Sequence, residues 1–133
     1  MNLLSKIFKS LKPEGYLEKE NAETVSTSAT FELIYNTLLI GQLIHSEKKW
    51  SFYYSDAFKE QSSLRTITDF PEKDKIYEGT ELWPFFASRI PSENQPMVIE
   101  AKRKNLIDSF DEVSMLKAFG KRTITNPYIL EMA

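Results

Sequence analysis

The chain has 133 residues, 41% apolar and 13% aromatic, and 17 basic against 19 acidic side chains give it a formal net charge of -2. That composition fits one folded domain with a modest core and excludes a disordered chain, and the near-neutral charge gives no electrostatic basis for nucleic-acid binding. With no cysteine there are no disulfides, thiolate nucleophile or cysteine metal site; with no membrane-length apolar run and no signal peptide, a cytoplasmic protein is expected.

Residues 1–28 read as an N-terminal helix and polar linker, and residues 29–133 as the folded domain. In MNLLSKIFKSL, Leu3, Leu4, Ile7, Phe8 and Leu11 share one helical stripe opposite Lys6 and Lys9. Pro13 and Gly15 stop the helix. It reads as a docking helix, with a frayed tail or a membrane-surface helix as the alternatives. Strand signals begin at Phe31. FELIYNTLLIGQLIH holds two apolar runs separated by Asn36 and Thr37, which predicts two strands or one bent strand, with Gly41 allowing a bulge or a close backbone approach. SEKK makes a turn, and WSFYYS is a third strand with Trp50, Phe52 and Tyr54 on one face. A fourth short strand is expected over Leu64–Ile67, before the turn FPEKDK.

After Tyr77 the period changes to helical. Thr80 is positioned to cap a helix whose first turn holds Pro84, and Pro91 ends it. A second helix is expected from about Pro96 to Ile107. A third starts near Ser109, which has capping-box spacing with Glu112, turns Val113, Leu116 and Phe119 inward, and ends at Gly120 as a left-handed cap. The tail KRTITNPYILEMA reads as extended, with a turn at Pro127. The expected fold is therefore α+β: a small antiparallel sheet of about four strands, then two or three packed helices, with the extra N-terminal helix.

No catalytic constellation stands out. The lone histidine, His45, falls at a strand end and reads as a surface or packed residue. The four glycines are scattered, so no phosphate loop exists, and neither an HRD nor a DFG motif occurs. No metal-ligand spacing, cofactor site or catalytic residue is expected. The chain reads as a protein that binds rather than an enzyme.

Its densest aromatic stretch is ELWPFFASRIPSENQP, Glu81–Pro96. Phe85 and Phe86 are consecutive and cannot share one helical face; both read as core, one against the sheet and the other sealing a neighbouring helix. Trp83, just before the helix, reads as a buried core residue or as a partner-contacting anchor, since tryptophan and arginine dominate interface hot spots. Arg89 reads as a solvated helix-end charge or a partner contact. Glu93, Asn94 and Gln95 read as an exposed loop or contact loop, and Tyr128 and Ile129 as ties for the tail or contacts. Lys102, Arg103 and Lys104, flanked by Glu100 and Asp108, read as a solvated helix face.

The order IGQL (Ile40–Leu43), WSFYY (Trp50–Tyr54) and LWPFFASRIPSENQP resembles the N-terminal subdomain of HipA-type serine/threonine kinases, over about three quarters of the chain. FGKRTITNPYIL, Phe119–Leu130, resembles the segment that joins that subdomain to the kinase core. RIPSENQP departs from the family's LLPEG, and the N-terminal helix and its linker lie outside the pattern. The chain stops where the kinase core would begin. The resemblance implies the small, separately encoded subdomain of split HipA systems: an antitoxin that binds and neutralises a HipA-like kinase lacking this subdomain. A helix-turn-helix protein completes the complex, so that DNA is contacted only through that partner. The alternative it leaves open is a non-catalytic subunit that the split kinase requires. On this reading Trp83, Arg89, Glu93, Asn94, Gln95 and Tyr128 face the partner, while Trp50, Phe52, Phe85 and Phe86 form the core of the motif.

Overall fold

The computed structural model describes residues 28–133, so the expected helix over Met1–Leu11 and nearly all of its linker lie outside the described residues. The chain opens with three strands, β1 (Ala29–Tyr35), β2 (Leu38–Ser46) and β3 (Lys49–Tyr54), joined by tight turns. Asn36 turns the first hairpin with φ 56°, and Glu47 and Lys48 turn the second with φ 54° and 66°. Two successive positive φ values match the right-handed twist of the flanking strands. FELIYNTLLIGQLIH is therefore two strands.

Gly41 has the close approach expected of it. A Cβ there would lie 2.4 Å from the Tyr53 carbonyl oxygen and 2.8 Å from the Phe52 ring. The β1–β2 register also slips beside it: Leu33 faces Gly41 and Ile34 faces Leu39, which leaves Ile40 as the extra residue.

The fourth strand is not Leu64–Ile67, which is unpaired loop. It is β4 (Tyr77–Gly79), antiparallel to β3. The tail supplies a fifth strand, β5 (Ile129–Met132), antiparallel to β1, and the sheet order is β4-β3-β2-β1-β5. Met132, Phe31, Leu43, Phe52 and Tyr77 are register neighbours across all five strands and so share one face. Phe31, Leu43 and Phe52 of that row are buried, clustered with Phe58, Phe86 and Leu116 from helical segments.

Among the described residues four short helices complete the α+β fold: α1 (Asp56–Glu60), α2 (Pro84–Ala87), α3 (Pro96–Arg103) and α4 (Glu112–Phe119). α1 was not anticipated; Ser55 caps it by accepting from the Phe58 amide at 3.0 Å. α2 begins at Pro84 as expected, but its N-cap is Trp83, not Thr80. α3 is shorter than read, ending at Arg103, and its last carbonyls are satisfied by Asn105 and Leu106, with Asn105 at φ 60°. The N-cap of α4 is Asp111, which accepts from the Ser114 amide, while Ser109 donates to Asp111 from outside the helix. Gly120 ends α4 at φ -84°, so it is not a left-handed cap. Glycine is required there for space, because a Cβ would lie 2.7 Å from the Leu116 carbonyl oxygen.

The core has two parts. The larger fills the space between the sheet and Phe58, Phe70, Leu82, Phe86 and Leu116. The smaller joins α3 to α4 through Val98, Ala101, Ile107 and Met115, and Ile90 packs against both.

Candidate functional site

The aromatic turn is built around Phe70, the first residue of the expected FPEKDK turn. Its ring stacks on Phe52 at 4.3 Å and meets Tyr77 and Trp83 edge-on at 5.0 Å. Tyr54 fixes the loop that carries it: the phenol donates to the Phe70 carbonyl at 2.6 Å and accepts from the Ile67 amide at 2.8 Å. Burial pushes the Tyr54 hydroxyl up to about 12. Asp69 then reaches the start of α2, its Oδ2 accepting from the Phe85 amide at 2.9 Å. A helix of four residues cannot hold itself together, and this long-range cap takes one of its free N–H groups.

On that frame Phe86 is fully buried and Phe85 half-buried, their rings perpendicular at 5.1 Å. Trp83 is half-buried, its ring edge-on to Phe70 and its Cζ2 3.8 Å from where a Gly79 Cβ would be. Trp50 and Phe52 are core, and the Trp50 indole N–H donates to Glu112 Oε1 at 2.9 Å.

Arg89 is not a solvated charge; it is only 4% exposed. Its Nη1 donates to the carbonyls of Gly120 at 3.0 Å and Lys121 at 3.2 Å, and its Nη2 to Asn126 Oδ1 and the Tyr128 carbonyl, both at 3.1 Å. The guanidinium thus closes the end of α4 and ties the return segment 121–128 to α2. Nε has no partner, and no carboxylate pairs with Arg89 among the described residues. Burial alone lowers its pKa to about 10, which leaves it cationic at neutral pH. No local signal marked this role, because every acceptor lies 31 to 39 residues further along the chain.

Tyr128 sits beside this hub, half-buried, with its ring 5.6 Å from Tyr35 and 5.8 Å from Phe85. Arg89, Phe85 and Tyr128 are therefore brought together. Trp83 packs separately on Phe70, and Glu93, Asn94 and Gln95 are exposed between α2 and α3. In the basic run, Arg103 and Lys104 both pair with Glu100, at 2.6 Å and 3.4 Å, and Lys102 lies over the Phe110 ring. Among the described residues no group of three or more His, Asp or Glu side chains is gathered to hold a metal, and no helix is long and apolar enough to cross a membrane.

These features define a small α+β domain: among the described residues a five-stranded antiparallel sheet and four short helices, with an aromatic turn locked by a buried arginine. The HipA N-terminal domain family model matches residues 31–125, and the chain belongs to that family. No curated protein matches it.

Proposed function

We propose that the chain is an antitoxin that binds a HipA-like serine/threonine kinase and neutralises it without chemistry of its own. The carrying observation is the family match over residues 31–125, in a sequence that contains the HipA N-terminal domain and neither an HRD nor a DFG motif. So read, the domain acts through its surface. In this reading the exposed part of Trp83, the loop Glu93–Gln95 and Tyr128 face the kinase. Arg89 does not touch it; buried and bonded within the chain, it holds Tyr128 in place. A helix-turn-helix protein completes the complex and reads the DNA, a division of labour that suits a chain of net charge -2.

The direct test titrates purified chain into the HipA-like kinase of the same cell and follows phosphoryl transfer. Inhibition that saturates with complex formation is expected, whereas activity that appears only when the chain is added makes it a required kinase subunit. Trp83→Ala is expected to weaken the complex by about 2 kcal/mol, or roughly thirtyfold. An affinity within about twofold of wild type, with the fold intact, removes Trp83 from the interface.

A further inference from the structure

Between the loop 65–69 and α2 the surface falls into an open groove of about 560 Å³. Ile67, Phe85 and Tyr128 give it apolar and aromatic surface, and Arg65, Ser88 and Thr125 give it polar edges. Arg65 is exposed and forms no ion pair among the described residues. Behind the groove the Arg89 guanidinium lies 5.6 Å from the Phe85 ring and bonds the Tyr128 carbonyl, and no carboxylate among the described residues pairs with it. The single acidic residue of the lining, Asp69, has Oδ2 committed to the Phe85 amide. Two cationic groups thus face or underlie the groove against one carboxylate, in a chain that is net acidic.

One wall has a second distinguishing property. Leu64–Ile67 has the composition of a strand yet pairs with none, and the Ile67 amide is taken by a tyrosine hydroxyl instead of a neighbouring strand. The groove is wide and open, which suits a polypeptide better than a small anion.

We infer that this groove seats an extended acidic segment of the partner protein, with an apolar side chain against Phe85 and Tyr128 and a carboxylate at Arg65. The inference rests on the kinase-binding reading for the identity of the partner. Opposite charges at such a site fix register and speed association more than they add affinity, so salt dependence is its signature.

The test uses the full chain with the HipA-like kinase of the same cell. Arg65→Glu and Thr125→Glu change exposed groove positions, and Lys48→Glu makes a charge reversal at the β2–β3 turn as the control. Each groove variant is expected to weaken the complex roughly tenfold at low salt, with the difference shrinking as salt rises, while Lys48→Glu leaves affinity unchanged. A photo-crosslinking residue at Ser88 is expected to capture an acidic segment of the kinase. A complex that forms but is indifferent to both groove variants, or crosslinks to a non-acidic segment, overturns the groove and leaves the antitoxin reading standing. An intrachain crosslink to the stretch holding Glu18, Glu20 and Glu23 also overturns it, since the occupant is then the chain itself. If the wild-type chain forms no complex at all, both readings fall together.

Discussion

Arg89 is the only buried charged side chain among the described residues, and its bonding explains why the domain tolerates it. A lone buried cation is costly, but four charge-assisted hydrogen bonds to oxygens of 120–128 offset the desolvation and join segments far apart in the chain. Arg89→Leu takes that donor from the Gly120 and Tyr128 carbonyls, while Lys121 keeps the Leu130 amide and Asn126 the Tyr128 amide, and is expected to cost about 3 kcal/mol in urea unfolding. Arg89→Lys is expected to recover little of it, since an ammonium cannot fork across the same acceptors.

Tyr54 plays a comparable part with a neutral group. Its hydroxyl pKa rises from 10.0 to about 12, so the folded chain keeps that proton longer than the unfolded one. The associated stability is whole below pH 10 and is lost as pH climbs toward 12. Tyr54→Phe is expected to lower stability by about 2 kcal/mol at neutral pH and to remove that part of the alkaline decline, as read by unfolding from neutral to high pH. Gly41→Ala brings a methyl against the Tyr53 carbonyl at 2.4 Å, which predicts a loss of about 3 kcal/mol.

At the scale of elements, legibility followed locality. The strand region from Ala29 to Tyr54 is readable because two apolar runs flank Asn36, because Trp50, Phe52 and Tyr54 alternate on one face, and because turns fall at Asn36 and at Glu47–Lys48; whether the first two runs are one bent strand or two is decided only by the pairing. Leu64–Ile67 carries the same kind of signal and is not a strand: Tyr54 pins that loop over the core, and the free edge of β3 is taken by Tyr77–Gly79. A strand of three residues has no period to read, and the pairing of β5 with β1 spans nearly the whole domain. The start of α4 shows the same limit in small. Ser109 and Asp111 both suit a cap, and the side-chain bond to the Ser114 amide selects Asp111. Asp111→Ala is expected to destabilise the domain by about 1 kcal/mol and Ser109→Ala by less, measured as paired unfolding curves.

Seen whole, the molecule explains why an aromatic run sits on so short a turn. Phe86 closes the main core and Phe85 and Trp83 are each half-buried, so one turn serves both packing and surface. Sequence reading located that turn from its composition. It missed the contribution of Arg89, whose acceptors are supplied only when the tail folds back, and that of Asp69, which caps α2 from across a loop. The resemblance carried by IGQL, WSFYY and LWPFF pointed to the family that the match over residues 31–125 establishes. The central claim drawn from it, neutralisation of a kinase by binding, is tested most directly by growth. Cells expressing the HipA-like kinase alone are compared with cells that also express this chain, and the complex is sought by co-purification. Restored growth with a stable complex is the predicted result. Toxicity that appears only when both proteins are present contradicts it.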